Sequence, residues 1–201
     1  MEADRGPLSR TDWVLAGLQA LARGGPNAVR VEAIARSIRV SKGSFYWHFK
    51  DAAELKLMMR EVWRIDAGEG VIERVEEARG SAYEKLQTWA GLAGNAAIVG
   101  DFHGLKLEPA IREWARYDHA AAEMLKSVDE KRLSYLSQLF AQAGNPANSY
   151  ENASLFYAAG IGLDPLSEGG LADVAMPLYA LLDALLNVSQ PLGRASAMPG
   201  E

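Results

Sequence analysis

The chain has 201 residues, 49% apolar and 23% charged, enough to bury a core in one large or two modest globular domains. It has no cysteine, which excludes a disulfide framework, a thiolate metal site and a thiol nucleophile. The net charge of −5 argues at first against nucleic acid, but its distribution argues the other way. Residues 1–50 hold eight Lys/Arg (Arg5, Arg10, Arg23, Arg30, Arg36, Arg39, Lys42, Lys50) against four acids (Glu2, Asp4, Asp12, Glu32), giving +4, and the remainder carries −9. A basic end on an acidic chain suits contact with a polyanion at that end, although such a bias is more often a solvated face.

The opening residues carry Glu2, Asp4 and Arg5 and lack the apolar stretch of a secretory signal. The most apolar late segment, from Ala175 to Val188, is only about 14 residues long, contains Asp183 and is too short to span a bilayer. The expectation is a soluble, cytoplasmic protein with no membrane partner.

Apolar residues recur at intervals of three and four and rarely of two, which predicts an all-α chain of about nine helices. The first helix starts at Ser9–Asp12, where Ser9-x-x-Asp12 has the form of a capping box. It buries Val14, Leu18 and Leu21 and stops at Gly24-Gly25 ahead of Pro26. A short second helix runs from Val31 to about Ile38, with Val31, Ile34, Ala35 and Ile38 on one face. The third begins after Ser41, a good N-cap residue, and runs to His48 or Phe49. The fourth opens with a second capping box, Asp51-x-x-Glu54, and sets Leu55, Met58, Met59 and Val62 in one stripe. Gly68 and Gly70 are expected to weaken it.

Further helices are expected at 81–97, at 109–115 with Pro109 first, at 118–143 ending before Gly144, at 149–162 and at 173–189. Residues 98–108 read as a loop. The expected organisation is a helical N-terminal domain at 9–60, a larger helical domain at 61–190, and a disordered tail at 191–201.

The informative stretch is residues 30–49. Two short helices three or four residues apart, with Ala35 at their crossing, have helix-turn-helix spacing. At 100° per residue, Phe45 and Phe49 fall on one face of the third helix and should anchor it on the first and fourth. Gly43 and Trp47 point the opposite way, with Ser44 and Tyr46 on the flanks. The front suits a major groove. Lys42 can reach a guanine edge or a phosphate, and Gly43 permits close approach. Ser44 and the Tyr46 hydroxyl can donate to phosphates, and Trp47 offers an indole N–H and an apolar face. Lys50 is placed for a second phosphate.

Ile34-Ala35 followed by Val40-Ser41-Lys42-Gly43-Ser44-Phe45-Tyr46-x-x-Phe49 resembles the signature of the TetR family of transcriptional regulators, over residues 9–60. The resemblance implies that Lys42, Gly43, Ser44, Tyr46, Trp47 and His48 face DNA, that Lys50 holds its backbone, and that Phe45 and Phe49 hold the fold. With Arg30 and Ser41, these front residues form the expected DNA-binding set. Two positions depart from the family pattern. Arg39 stands where a turn glycine is usual, and must take a left-handed conformation at roughly 1–2 kcal/mol. Arg30 stands where the second helix usually has a Thr or Ser cap, replacing a hydroxyl contact by charge.

In the C-terminal half, Trp89, Phe102, His103, Trp114, Tyr117 and Phe156 are candidates to line an apolar effector cavity, plain core being the simpler reading of each. His103 and His119 lack metal-ligand spacing, so neither metal nor cofactor is expected. Arg112 and Glu108, four apart, read as a surface ion pair. Small residues at Ala158, Ala159, Gly160 and Gly162 allow close helix approach. Leu178, Leu181, Leu182, Leu185 and Leu186 exceed what one buried face needs. Together they point to a homodimer through the last two helices.

The function expected is a ligand-responsive regulator, a repressor, that binds a palindromic double-stranded operator as a homodimer and is released by a small-molecule effector. The competing class is a helical small-molecule-binding protein or enzyme whose N-terminal hairpin is only structural. No nucleophile–base pair, carboxylate dyad or phosphate-cradling glycine loop supports catalysis. A sequence-tolerant architectural DNA binder is a third reading.

Overall fold

In a computed structural model, which describes residues 8–94 and 107–187, every regular element is a helix. The first, α1 (Arg10–Gly24), starts where two reciprocal bonds start it: the Ser9 hydroxyl accepts from the Asp12 N–H, and the Asp12 carboxylate accepts from the Ser9 N–H. It ends at Gly25, whose φ of 65° few other residues reach without strain. There follow α2 (Val31–Ser37), α3 (Lys42–Phe45) and α4 (Ala52–Arg64). A π turn, Ile65–Gly70, then leads without a break into α5 (Val71–Glu77). The remaining helices are α6 (Ala82–Gly94), α7 (Leu107–Ala115), α8 (His119–Gln142), α9 (Ser149–Glu168) and α10 (Ala175–Asn187). With α4, the π turn and α5 counted together, the described residues form nine helices.

Several boundaries differ from the sequence reading, each for a local reason. Gly68 and Gly70 do not stop the fourth helix; its backbone widens to π spacing around them and continues. Pro109 sits in the first turn of α7 rather than at its first residue, where its missing N–H is still harmless. Gly162 is passed over, because an interior glycine weakens a helix by only about 1 kcal/mol, and α9 runs to Glu168 with Pro165 inside it. Asp173 lies outside α10 and caps it, accepting from the Met176 N–H at 2.8 Å. Apart from Leu107 and Glu108, which are helical, the expected loop at 98–108 lies outside the described residues, as do the end of the sixth helix, Ser189 and the tail from 191.

The chain folds as two compact units. One comprises the described residues of 1–70 and 96–129, the other those of 71–95 and 130–201. The units therefore do not divide at residue 60, which falls inside α4. The cause is visible in the first core. Trp13, Leu18 and Leu21 of α1, Ile34 of α2, Leu55 and Met59 of α4 and Phe45 and Phe49 are joined by Ile111 and Trp114 of α7. A helix distant in sequence thus completes the N-terminal core. Gly17 lets α1 and α4 come close: a Cβ there would lie 2.7 Å from the Met59 Sδ. Arg112 does more than pair with Glu108, since it also grips both Asp129 oxygens at 2.8 and 3.1 Å and ties α7 to α8.

In the second unit, Val75, Leu86, Trp89, Leu136, Phe140, Phe156 and Leu182 form the core, with Phe140 and Phe156 edge to face at 5.7 Å. Two buried asparagines, Asn145 and Asn152, donate to the Leu185 carbonyl at 3.1 and 3.3 Å. That carbonyl lies in the last described turn of α10. Among the described residues no helix is long and apolar enough to cross a membrane. Replacing Asn152 by Ala removes one of the two donors from this site and is expected to lower the unfolding free energy by roughly 1–3 kcal/mol, measured by urea titration.

Candidate nucleic-acid interface

The turn between α2 and α3 is closed by backbone bonds. The Val40 N–H reaches the Ala35 carbonyl at 2.9 Å and the Arg39 N–H reaches that of Arg36 at 3.2 Å. This paired arrangement is a Schellman cap, and it requires a left-handed residue, here Arg39 with φ 59°. The chain leaves the turn through Ser41, which is extended, and enters α3. Ser41 occupies the N-cap position, but its side chain makes no capping bond, so its hydroxyl stays on the exposed surface.

The third helix is shorter than expected. It spans four residues, and the N–H groups of Tyr46, Trp47 and His48 then reach back only three residues, at 3.2, 3.4 and 2.9 Å. The tightened turn still brings Phe49 onto the face of Phe45, where the rings stack at 5.2 Å. Phe45 is fully buried and meets Trp13 edge to face at 5.3 Å. With its back fixed in this way, the front is left in water. Trp47 is 88% exposed and Tyr46 58%. Arg30, Ser41, Lys42, Gly43 and Lys50 are exposed as well, while Ser44 and His48 are half-buried. A Cβ on Gly43 would meet nothing nearer than the Ser41 Oγ at 3.6 Å, so the protein's own packing does not demand a glycine there.

The segment after Trp47 is pinned by charge. The Lys50 N–H donates to Glu54 at 2.7 Å, and Asp51 accepts from the Glu54 N–H at 2.9 Å, a capping box displaced by one residue. Arg10 of α1 donates to the other Glu54 oxygen and lies over the Phe49 ring at 4.7 Å. The Lys50 N–H first, and Arg10 second, hold the Glu54 carboxyl below its ordinary range.

Sequence reasoning missed one contact on the front. Lys42 is paired with Glu32 of α2 at 2.5 Å, both side chains more than half exposed. The bond to Lys42 leads in holding Glu32 below the usual carboxylate range, and the same bond holds Lys42 above its own, so both stay ionised at neutral pH. The ten-residue separation matches no helical spacing; only the closed turn brings these two together. Glu32 is also the only acid between Asp12 and Asp51.

The six expected cavity residues fall in different parts of the chain. Trp89 and Phe156 are buried in the second unit's core. Trp114 is buried in the first unit's core, with Arg60 over its ring at 5.6 Å. Tyr117 lies in the turn after α7 and is 82% exposed. Phe102 and His103 lie outside the described residues. Among the described residues, no group of three or more His, Asp or Glu is placed to hold a metal ion.

Residues 14–57 match the family of bacterial regulatory proteins called tetR. No curated protein matches the chain significantly in sequence. Solved structures do match in fold. A TetR-family transcriptional regulator from Streptomyces coelicolor is 18% identical, with a TM-score of 0.69 over 92% of this chain and 91% of that one. The reduced form of NemR from E. coli is 16% identical, with a TM-score of 0.67 over 92% and 99% of the two chains. The fatty acid degradation regulator FadR from Bacillus halodurans is 13% identical, with a TM-score of 0.63 over 94% and 99%. At such identities the likeness is one of fold.

Replacing Glu32 by Gln frees Lys42 and removes the lone acid from the front. Affinity for duplex DNA at low salt is expected to rise several-fold. The slope of log affinity against log salt should steepen by up to about 0.9, the release of one more counterion. Fluorescence anisotropy over a salt series measures both.

Proposed function

We propose that this chain, whose residues 14–57 match the tetR family of bacterial regulatory proteins, is a transcriptional regulator that represses as a homodimer bound to a palindromic operator until a small-molecule effector releases it. The observation that carries the reading is Trp47: a large apolar side chain, 88% exposed, on a segment whose opposite face is locked into the core. Nothing in the chain's own folding needs a tryptophan in water, whereas a major groove offers thymine methyls for its face and acceptors for its N–H. Around it, Lys42, Tyr46, His48 and Lys50, with Arg30, Ser41, Gly43 and Ser44, supply charge, donors and close approach. Arg30, at the N-cap of α2, and Lys50, just ahead of α4, serve the phosphates, which set register without reading sequence. Activity on chromosomal DNA places the protein in the cytoplasm.

Operators of this kind are palindromic because a two-fold dimer offers two reading heads, with half-sites one helical turn, ~34–36 Å, or a multiple apart. The dimer face we assign lies on α9 and α10. Leu155, Ala158, Gly162 and Leu166 form an exposed stripe on α9, three or four residues apart, and Met176, Ala180 and Ala184 form another on α10. A Cβ on Gly162 would meet nothing within 4 Å of its own chain. A second copy of the same two helices suits this surface, since small residues let backbones approach and the stripes are self-complementary under a two-fold axis. The leucines contribute less than expected. Leu178, Leu182 and Leu185 are buried in their own core, and Leu181 and Leu186 are half-buried.

The effector is a small molecule bound by the helical part of the chain that follows the helix-turn-helix. It can release DNA only by binding the released form more tightly than the operator-bound form.

A gel-shift titration with promoter DNA of its own or a neighbouring gene is expected to show retardation by the intact chain. Trp47→Ala and Lys42→Ala should each weaken that binding about tenfold or more, with the melting temperature nearly unchanged because both side chains are exposed. No retardation at low salt by any such fragment sinks the reading. Gly162→Arg should yield a folded monomer in sedimentation and abolish the operator shift.

A further inference from the structure

We infer that Arg39 is a phosphate-contacting residue, kept in a strained backbone position so that its guanidinium can grip DNA beside the bases faced by α3. The inference rests on the DNA-binding reading above and extends it to a residue outside the front of the third helix.

The fold itself would prefer another residue at this position. The same paired closure ends two other helices. At the end of α8, the Asn145 N–H reaches the Phe140 carbonyl at 3.1 Å and the Gly144 N–H reaches that of Ala141 at 3.4 Å. At the end of α9, the Leu171 N–H reaches the Leu166 carbonyl at 2.9 Å and the Gly170 N–H reaches that of Ser167 at 3.0 Å. In both, the left-handed position is glycine, with φ of 106° and 69°. Only the closure between α2 and α3 puts a side chain there. A non-glycine residue in that conformation is destabilised relative to glycine, and strain of this kind gathers at functional positions.

Nor does packing account for the arginine. Arg39 is exposed, and among the described residues its side chain has no hydrogen bond, ion pair or ring contact. Among the described residues of the same unit, Arg10 with Glu54 and Phe49, Arg60 with Trp114, Arg64 with Glu61 and Arg112 with Asp129 are engaged, while Arg23, Arg36 and Arg116, like Arg39, make no such contact. The chain does tolerate one other left-handed arginine, Arg79 with φ 53°, so strain alone decides nothing. Location decides it. Arg39 lies two residues before Ser41, the N-cap of α3, in the turn that leads directly into the exposed Ser41 and Lys42. A planar guanidinium with a fork of donors is the side chain best suited to a phosphate, and it needs no alignment with a particular base.

Two substitutions separate this role from a structural one. Arg39→Gly removes the charge and relieves the turn; Arg39→Asn removes the charge while keeping a side chain that accepts the left-handed region. Each is titrated by fluorescence anisotropy into a labelled duplex from the promoter that the intact chain retards, and into an unrelated duplex of equal length, over a salt series. Both variants should bind both duplexes roughly fivefold or more weakly, by a similar factor, with the salt slope shallower by about 0.9. Arg39→Gly should at the same time melt a few degrees higher. Unchanged affinity in either variant overturns the inference, as does a loss of binding accompanied by a fall in melting temperature. A loss confined to the promoter duplex would assign Arg39 to base reading and overturn the phosphate role. Failure of the intact chain to bind either duplex would overturn the regulator reading itself, and this inference with it.

Discussion

Phe45 and Phe49 are held out of water by one another and by Trp13, and the exposed surface of α3 exists because of that burial. A helix of four residues has no stability of its own, since nucleation is unfavourable and its few hydrogen bonds do not repay it. It persists because two aromatic rings, four residues apart, are driven into a core built from α1, α2, α4 and α7. Burying such rings contributes on the order of 2–3 kcal/mol each, against the small sums that exposed charges supply. Once the back is fixed, rotation of the segment is fixed too, and Trp47 has nowhere to point but outward.

Charge then refines what apolar packing has placed. Arg10 reaches from the start of α1 to Glu54, and Glu54 takes the Lys50 N–H, so three elements meet at one carboxylate beside the stacked rings. The pair between Glu32 and Lys42 is of another kind. It lies on the open surface, where an ion pair adds little to stability, and it sets a negative group within the one strongly basic region of the chain. A basic surface without it would hold any phosphate backbone. With it, Lys42 must be won from Glu32, which disfavours loose electrostatic attachment more than a fitted complex.

Much of this architecture was legible in the sequence because its signals are local. Ser9 and Asp12, and Asp51 with Glu54, mark helix starts through bonds that span three residues. The four-residue spacing of Phe45 and Phe49 predicts a shared face, and the angular position of Trp47 predicts the opposite one. The left-handed state of Arg39 was implied by the family resemblance, in which a glycine is usual at that turn. What was not legible depends on contacts between distant segments. The Glu32–Lys42 bond, the Arg10–Glu54 bond and the entry of Ile111 and Trp114 into the first core obey no spacing rule. The early end of α3 was missed for a different reason. A tightened turn and a regular helix place Phe49 on nearly the same face, so periodicity cannot tell them apart.

The last two helices show why an apolar count misleads about surfaces. Five leucines on α10 suggested more hydrophobic area than one core could use, yet Leu178, Leu182 and Leu185 are all consumed by the second unit's interior. The exposed stripes combine Leu155, Leu166 and Met176 with the small residues Ala158, Gly162, Ala180 and Ala184, which offer a partner little side chain. Their value is geometric. Backbones that approach closely bring many atoms into contact, and dispersion summed over those atoms can match what fewer, larger side chains achieve at longer range. The interface proposed above would account for the small residues on exposed helix faces at Ala158, Gly162, Ala180 and Ala184, where a lone soluble surface would ordinarily carry Lys or Glu.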